Sequence, residues 1–174
     1  VGHSTRSWPE FLEILGKHEI EAVVDVRRFP GSKRYPWFSA DLMVRALPEA
    51  GVAYSWLAQL GGRRKAKPDS PNGGWRNAAF RGYADHMHSD EFSDGLNVAL
   101  EMAAHRRTAL MCAEAVWWQC HRRLIADVLH HRGVEVLHIL DADRPQIHLL
   151  NPEARPIGQD LVYPSVQTSL FSPD

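Results

Sequence analysis

The chain is poor in cysteine, with only Cys112 and Cys120 in 174 residues. Two thiols cannot build the disulfide framework of a small secreted domain, and their spacing is not that of a zinc knuckle. Reduced thiols and a cytoplasmic setting are therefore expected. Long apolar runs are also missing. None approaches the ~18 residues that a membrane helix needs, so no membrane partner is expected. Val1 follows no charged segment and precedes no apolar one, so no secretory signal is read there. Without an initiator Met, natural sequence upstream of Val1 is an expectation. The Walker phosphate loop and the dinucleotide fingerprint are absent as well, since Gly61-Gly62-Arg63-Arg64-Lys65 matches neither. No kinase or dehydrogenase is read here, and no cofactor.

Neither sign of charge is in large excess, because the formal net charge is −1. The distribution is lopsided. Between Arg27 and Arg81 stand eleven Lys and Arg against three acids, with half of the aromatic residues. Cationic groups neutralise phosphates, and aromatic faces accept unpaired bases. The segment reads as a surface for DNA or another polyanion, with Arg64, Lys65, Lys67, Trp75, Arg76 and Arg81 as nucleic-acid contacts. The plainer reading is a solvated basic face that balances acidic helices.

The chain alternates helical and extended patterns. Ser7-Trp8-Pro9-Glu10 reads as a capping box before an apolar helical face of Phe11, Leu12, Ile14 and Leu15. Ala22-Val23-Val24-Asp25-Val26 suits a strand buried on both faces. A helix over residues 40–50, capped by Ser39 and stopped by Gly51, leads to a strand at 52–57. Residues 61–77 have no periodicity and form a long basic loop of the kind that often binds or covers a site. Helices at 79–88 and 90–105, a strand at 108–112, a helix at 120–132 stopped by Gly133, and a strand at 134–140 follow. The pattern implies an α/β three-layer sandwich with a mostly parallel sheet flanked by helices. One domain is expected over 1–141. A Pro-rich extension over 142–174 should wrap the surface or hang free.

In a parallel sheet, ligand sites collect at the carboxyl ends of strands. That principle draws together the residues able to carry chemistry. Cys112 ends a strand, while Cys120, His121 and Arg122 open a helix. Helix N-termini stabilise thiolates and bound anions. Cys120 is therefore a candidate nucleophile and His121 its general acid or base. Cys112 is either inert packing or a resolving thiol. Zinc is not expected: Cys112, Cys120, His121 and His3 would have to supply the ligands, and adjacent Cys and His rarely reach one ion. Asp25 ends a strand among Arg27 and Arg28, either as a base or as the orienting partner of an arginine. Glu114 is comparable, and an Asp/Glu pair is also the equipment of glycosidic hydrolysis. His3, Ser4, Arg27, Arg28, Gly62, Arg63 and Arg122 are the expected substrate or phosphate contacts.

Near the C-terminus, Gln167-Thr168-Ser169-Leu170-Phe171 resembles the bacterial sliding-clamp-binding peptide. Gln167, Leu170 and Phe171 would be the anchors, and Thr168 departs from the preferred Leu. The alternative is that Leu170 and Phe171 dock on this protein's own core.

Several stretches together resemble the family catalogued as domain of unknown function 488. They are Val1-Gly2-His3-Ser4, Val24-Asp25-Val26-Arg27, Leu60-Gly61-Gly62-Arg63, Phe80-Arg81-Gly82-Tyr83-Ala84, Met111-Cys112-Ala113-Glu114 and Cys120-His121-Arg122. The resemblance runs from Val1 to about Ile139 and implies an α/β fold without bringing a settled activity. Separately, Cys120-His121-Arg122 resembles the Cys-His-Arg of alkylguanine-DNA alkyltransferases. Gln119 stands where those have Pro, and only the idea of a nucleophilic Cys120 carries over. The leading expectation is a DNA-associated enzyme that repairs or processes damaged or modified bases, tethered to the clamp. Base excision through Asp25 or Glu114 and thiol transfer at Cys120 both stay open. The rivals are a small-molecule phosphatase or sulfur-transfer enzyme and a non-catalytic nucleic-acid or nucleotide-binding module.

Overall fold

A computed structural model describes residues 1–31 and 33–165. The local signals produce their elements. In α1 (Trp8–Lys17) the Ser7 hydroxyl accepts from the Glu10 amide, and the Glu10 carboxylate accepts from the Ser7 amide. This reciprocal cap satisfies two amides that a helix start leaves without partners. β1 (Ala22–Asp25) is buried throughout, as its apolar run requires. α2 (Ala40–Glu49) leads through Gly51, at φ +79°, into β2 (Ala53–Trp56). Glycine adopts that left-handed conformation without the strain of a Cβ. α3 (Ala78–His86) and α4 (Asp90–His105) precede β3 (Thr108–Met111). α5 spans Arg122–His131, so Cys120 and His121 lie in the approach to the helix, with Cys120 extended.

The three strands form a parallel sheet in the order β2-β1-β3. Successive side chains on a strand face opposite ways, so adjacent valines serve different cores. Val23 packs with Phe11, Leu15, Met43 and Leu47 of α1 and α2. Val24 packs with Tyr83, Phe92, Leu96, Leu124 and Val128 of α3, α4 and α5. Helices cover both faces, which is the expected α/β sandwich. Val1 and Gly2 extend the sheet beyond β3 through a parallel bridge between Gly2 and Cys112. Among the described residues, no helix is long and apolar enough to cross a membrane.

The strand read at 134–140 needs correction. Only β4 (Leu137–His138) is extended, and it pairs antiparallel with β5 (Gln146–Ile147) instead of joining the parallel sheet. Val1 to Ser4 already take up the backbone of β3 and its continuation at residues 110–113, leaving 137–138 to a separate hairpin. The segment after Asp141 is also more than a surface wrap. β6 (Arg155–Ile157) and β7 (Asp160–Val162) form a hairpin. Ala154, Leu161 and Tyr163 join the core that contains Val24. Buried Asp127 of α5 gathers this segment, accepting from the Tyr163 hydroxyl at 2.8 Å, from His148 Nε2 at 3.0 Å and from the Asn151 amide at 3.0 Å. Gln167, Leu170 and Phe171 lie outside the described residues.

Candidate active site

Register sets the site. Asp25 stands level with Trp56 on one side and Met111 on the other. The segments leaving β1, β2 and β3 therefore emerge at one rim, joined by His3 and Ser4, whose amides donate to Cys112 and Ala113.

At this rim Cys120 meets three polar neighbours. His121 Nε2 lies 2.9 Å from the Val26 carbonyl, which only accepts, so the ring proton sits on Nε2. That leaves Nδ1, 3.6 Å from Cys120 Sγ, to take the thiol proton and present it to the thiolate. Arg122 Nε donates to the same sulfur at 3.4 Å, and Arg122 Nη2 is held by the Glu114 carbonyl. The Cys112 thiol is the third neighbour. It donates to Cys120 and so draws the Cys120 pKa well below that of an ordinary thiol, with His121 and Arg122 reinforcing the shift and burial opposing it. The same contact, together with burial, pushes the Cys112 thiol up. Cys112 is thus a polar partner of the nucleophile as well as a core residue. Tyr83, whose hydroxyl donates to the Leu60 carbonyl at 2.7 Å, places its ring 4.9 Å from the His121 ring and fixes that imidazole from the side. In sequence, Tyr83 stands only as part of the Phe80–Ala84 motif, with no role assigned.

One ligand atom each from Cys112, Cys120 and His121 lies within 4.8 Å of the others, and these are the residues able to hold a metal among those described. His3, the fourth ligand weighed from sequence, is committed elsewhere. Its Nδ1 lies 3.0 Å from the Ser4 carbonyl, and its Nε2 accepts from Arg27 Nη1 at 3.1 Å.

The Asp25 group is a structural network. Asp25 is fully buried, and its two oxygens accept from the Arg27 amide, Arg27 Nε, Arg27 Nη2 and the Tyr54 hydroxyl. No lone pair is left to activate water, so of the two roles open from sequence the orienting one fits. Arg27 is likewise spent on Asp25 and His3. The His3 ring stacks on Phe38 with centroids 4.3 Å apart. Burial, and the Arg27 charge after it, lower the His3 pKa to about 4. Expected from sequence at one rim as a catalytic acid and phosphate contacts, Asp25, His3 and Arg27 do lie together there, and they bond one another. Ser4 holds φ +50° and contributes backbone groups to the same turn. Glu114 is exposed, and among the described residues its carboxylate has no hydrogen bond or ion pair, which leaves it as an accessible acid of the rim.

The basic loop divides in two. Arg64 is tied to Glu91 and to the carbonyls of Ala58, Gln59 and Gly61. Arg81 donates to the carbonyls of Trp75 and Arg76. Trp75 packs against Phe80 and Tyr163 at 5.0 and 5.4 Å, on the flank of the core. These contacts give all three a part in holding the protein together, and Arg64 also borders a basic groove. Asp85 holds the loop by accepting from the Lys67 amide, Ser70 and Asn72. Arg28, Arg63, Lys65 and Lys67 are exposed, and with Arg64 and Asp85 they line this groove of about 410 Å³. Arg76 is exposed but is not among the groove's lining residues. Gly62, next in the chain to Arg63 of the groove, packs against His121: a Cβ there would lie 2.8 Å from His121 Nδ1. A second cavity, about 350 Å³ and mostly apolar, is lined by β3, α4, α5 and residues 134–139.

These features define an α/β protein with a polarised thiol at the carboxyl rim of a parallel sheet. The chain belongs to the family described as Domain of unknown function DUF488, whose model matches residues 7–129. No curated protein and no solved structure matches it.

Proposed function

We propose that the protein is a thiol-dependent enzyme acting on an anionic substrate, with nucleic acid as the leading class. Repair or processing of damaged or modified bases is the reaction setting. The observation that carries this reading is the convergence of Cys112, His121 Nδ1 and Arg122 Nε on one sulfur. A thiolate so held attacks an electrophilic centre. His121 Nδ1, able to hold a proton, returns it to the leaving group. Arg122, beside the N-terminus of α5, faces the negative charge. The bare Gly62 borders the imidazole, so the groove of Arg28, Arg63, Lys65 and Lys67 would deliver the substrate. The carboxylate route through Asp25 loses support because all its acceptor capacity is taken.

Cys120 is 2 % exposed, which favours one second reading, a small anionic sulfur or phosphoryl substrate that needs no wide mouth. Salt separates the two readings, since neutralising several phosphates makes affinity fall steeply with ionic strength. The test measures turnover and binding of oligonucleotides bearing modified bases. Cys120→Ser should abolish turnover and spare binding, whereas activity retained by this variant overturns the thiol reading. The Gln167 to Phe171 peptide adds a tether to the bacterial sliding clamp, which would raise the local concentration on DNA. Leu170→Ala with Phe171→Ala should remove clamp pull-down at unchanged melting temperature; a lowered melting temperature would indicate self-docking instead.

A further inference from the structure

We infer that the rim beside the thiol binds unpaired bases of a single-stranded polynucleotide, on a shelf made by Phe29 and Trp56 next to the Arg28 and Arg63 charges. This inference rests on the anionic-substrate reading and narrows it. Among the described residues, the aromatic rings classed as exposed are Phe29, Trp56 and Trp118, and all three follow or end strands at the carboxyl rim. Trp56 closes β2. Its indole N–H donates to the Arg27 carbonyl at 2.8 Å, which locks one edge while the residue stays 47 % exposed. A ring fixed by its edge with an open surface loses little freedom on stacking. Phe29, 66 % exposed, lies two residues beyond that carbonyl, with the Arg28 guanidinium 5.6 Å from its centroid.

The shelf is continuous with the phosphate-binding side of the groove. Arg28 Nη1 donates to the Arg63 carbonyl at 3.0 Å. A Cβ on Gly61 would sit 2.7 Å from Arg28 Cα, so the two backbones touch. Arg63 holds φ +59°, in the left-handed region that favours glycine. A long cationic side chain is kept there despite that strain. The acids nearby do not outweigh this charge: Glu91 is paired with Arg64, and Asp85, held by the Lys67 amide, Ser70 and Asn72, is one carboxylate against Arg28, Arg63, Lys65 and Lys67. Aromatic faces beside such charges suit a strand whose bases are already free, and the shelf asks nothing of base identity. From the shelf, contacts run through Arg28, Gly61 and Gly62 to His121 and Cys120.

The experiment compares three fluorescein-labelled probes of equal length by anisotropy: oligothymidylate, an abasic strand with the same phosphates, and a duplex. Base stacking contributes roughly 5- to 100-fold per base. Oligothymidylate should bind at least ~10-fold more tightly than the abasic strand. Phe29→Ala with Trp56→Ala should erase that difference and leave abasic binding unchanged. Arg63→Ala with Lys65→Ala should weaken both strands alike. Equal affinity for oligothymidylate and the abasic strand overturns the shelf while leaving the anionic-substrate reading in place. So does tighter binding of duplex, or an aromatic double variant that weakens the abasic strand as much as oligothymidylate. Failure of wild-type protein to bind any probe overturns the shelf together with nucleic acid as the substrate class, and leaves the small-anion reading.

Discussion

Nδ1 of His121 faces Sγ of Cys120 at 3.6 Å, and the opposite ring nitrogen is pinned to the Val26 carbonyl at 2.9 Å. The imidazole cannot rotate away without giving up a backbone partner. The relationship between the two side chains is thus built by β1 and the turn before α5 together.

The first prediction concerns the proton on that sulfur. Free cysteine ionises near pH ~8.5. Cys120 is lowered, with the Cys112 thiol as the largest cause, so its thiolate persists as the pH falls below that range. Ultraviolet thiolate absorbance of the native protein should show one thiol ionised at neutral pH. Cys112→Ala should move that ionisation upward, and Cys112→Ser, which keeps a hydroxyl donor, should move it less. A native protein with no thiolate signal at neutral pH would contradict the arrangement.

The second prediction separates scaffold from chemistry. Asp25→Asn leaves the buried Arg27 without its counter-charge, and breaking a buried pair costs about 3–5 kcal/mol. Urea denaturation should report a loss of that order. Cys120→Ser, nearly isosteric, should change stability by about 1 kcal/mol or less while removing thiol reactivity. If Asp25→Asn is as stable as wild type, the carboxylate is not the structural partner described above.

Much of this was legible in sequence, and the divide has a physical basis. Local chemistry reads directly: the Ser7–Glu10 cap, the double-faced burial of Val23 and Val24, and the Cys120-His121-Arg122 cluster at a helix start. Pairings between distant segments do not read. Nothing in Asp25-Val26-Arg27 announces that Tyr54 and His3 complete the bonding, because those partners arrive from β2 and the chain start. Trp75 sits in a basic, glycine-rich stretch and looks like a base-stacking residue, but Tyr163, eighty-eight positions on, packs against it. The Pro-rich composition after Asp141 suggested a loose tail and concealed the buried Leu161 and Tyr163. Phe29 and Trp56 were visible only as aromatics in a basic segment; exposure and the indole anchor distinguish them.

The third prediction is acid sensitivity from two histidines. Unfolded histidine takes up a proton near pH ~6.5. Burial, then the Arg27 charge, lowers His3 to about 4. Burial, then neighbouring His148, lowers His138 to about 3. Below pH ~6.5 the unfolded chain therefore binds more protons than the folded one, and stability falls as pH falls. Each ring contributes about 1.4 kcal/mol per pH unit until its folded-state value is reached. Denaturation midpoints measured from pH ~7 to pH ~4 should decline steadily. His3→Gln and His138→Gln should each flatten the decline, and a flat wild-type profile would refute both assignments.

The last prediction tests the close packing of the basic loop on the imidazole beside the thiol. Gly62 lies at ordinary φ, so its role is steric: an added Cβ meets His121 Nδ1 at 2.8 Å, Cγ at 3.2 Å and Cε1 at 3.4 Å. Overpacking of this size costs about 1–3 kcal/mol when neighbours must shift. The imidazole cannot yield easily, because Tyr83 and the Val26 carbonyl hold it on other sides. Gly62→Ala should therefore move the ionisation of Cys120 to higher pH by disturbing its His121 partner, and should lower turnover at least ~10-fold while the chain still melts cooperatively. Binding of an abasic strand should stay at the wild-type level, since Arg63 and Lys65 keep their places. A variant with normal turnover and normal thiolate absorbance would mean that substrate reaches Cys120 from another side, and the groove would then have no part in delivering it.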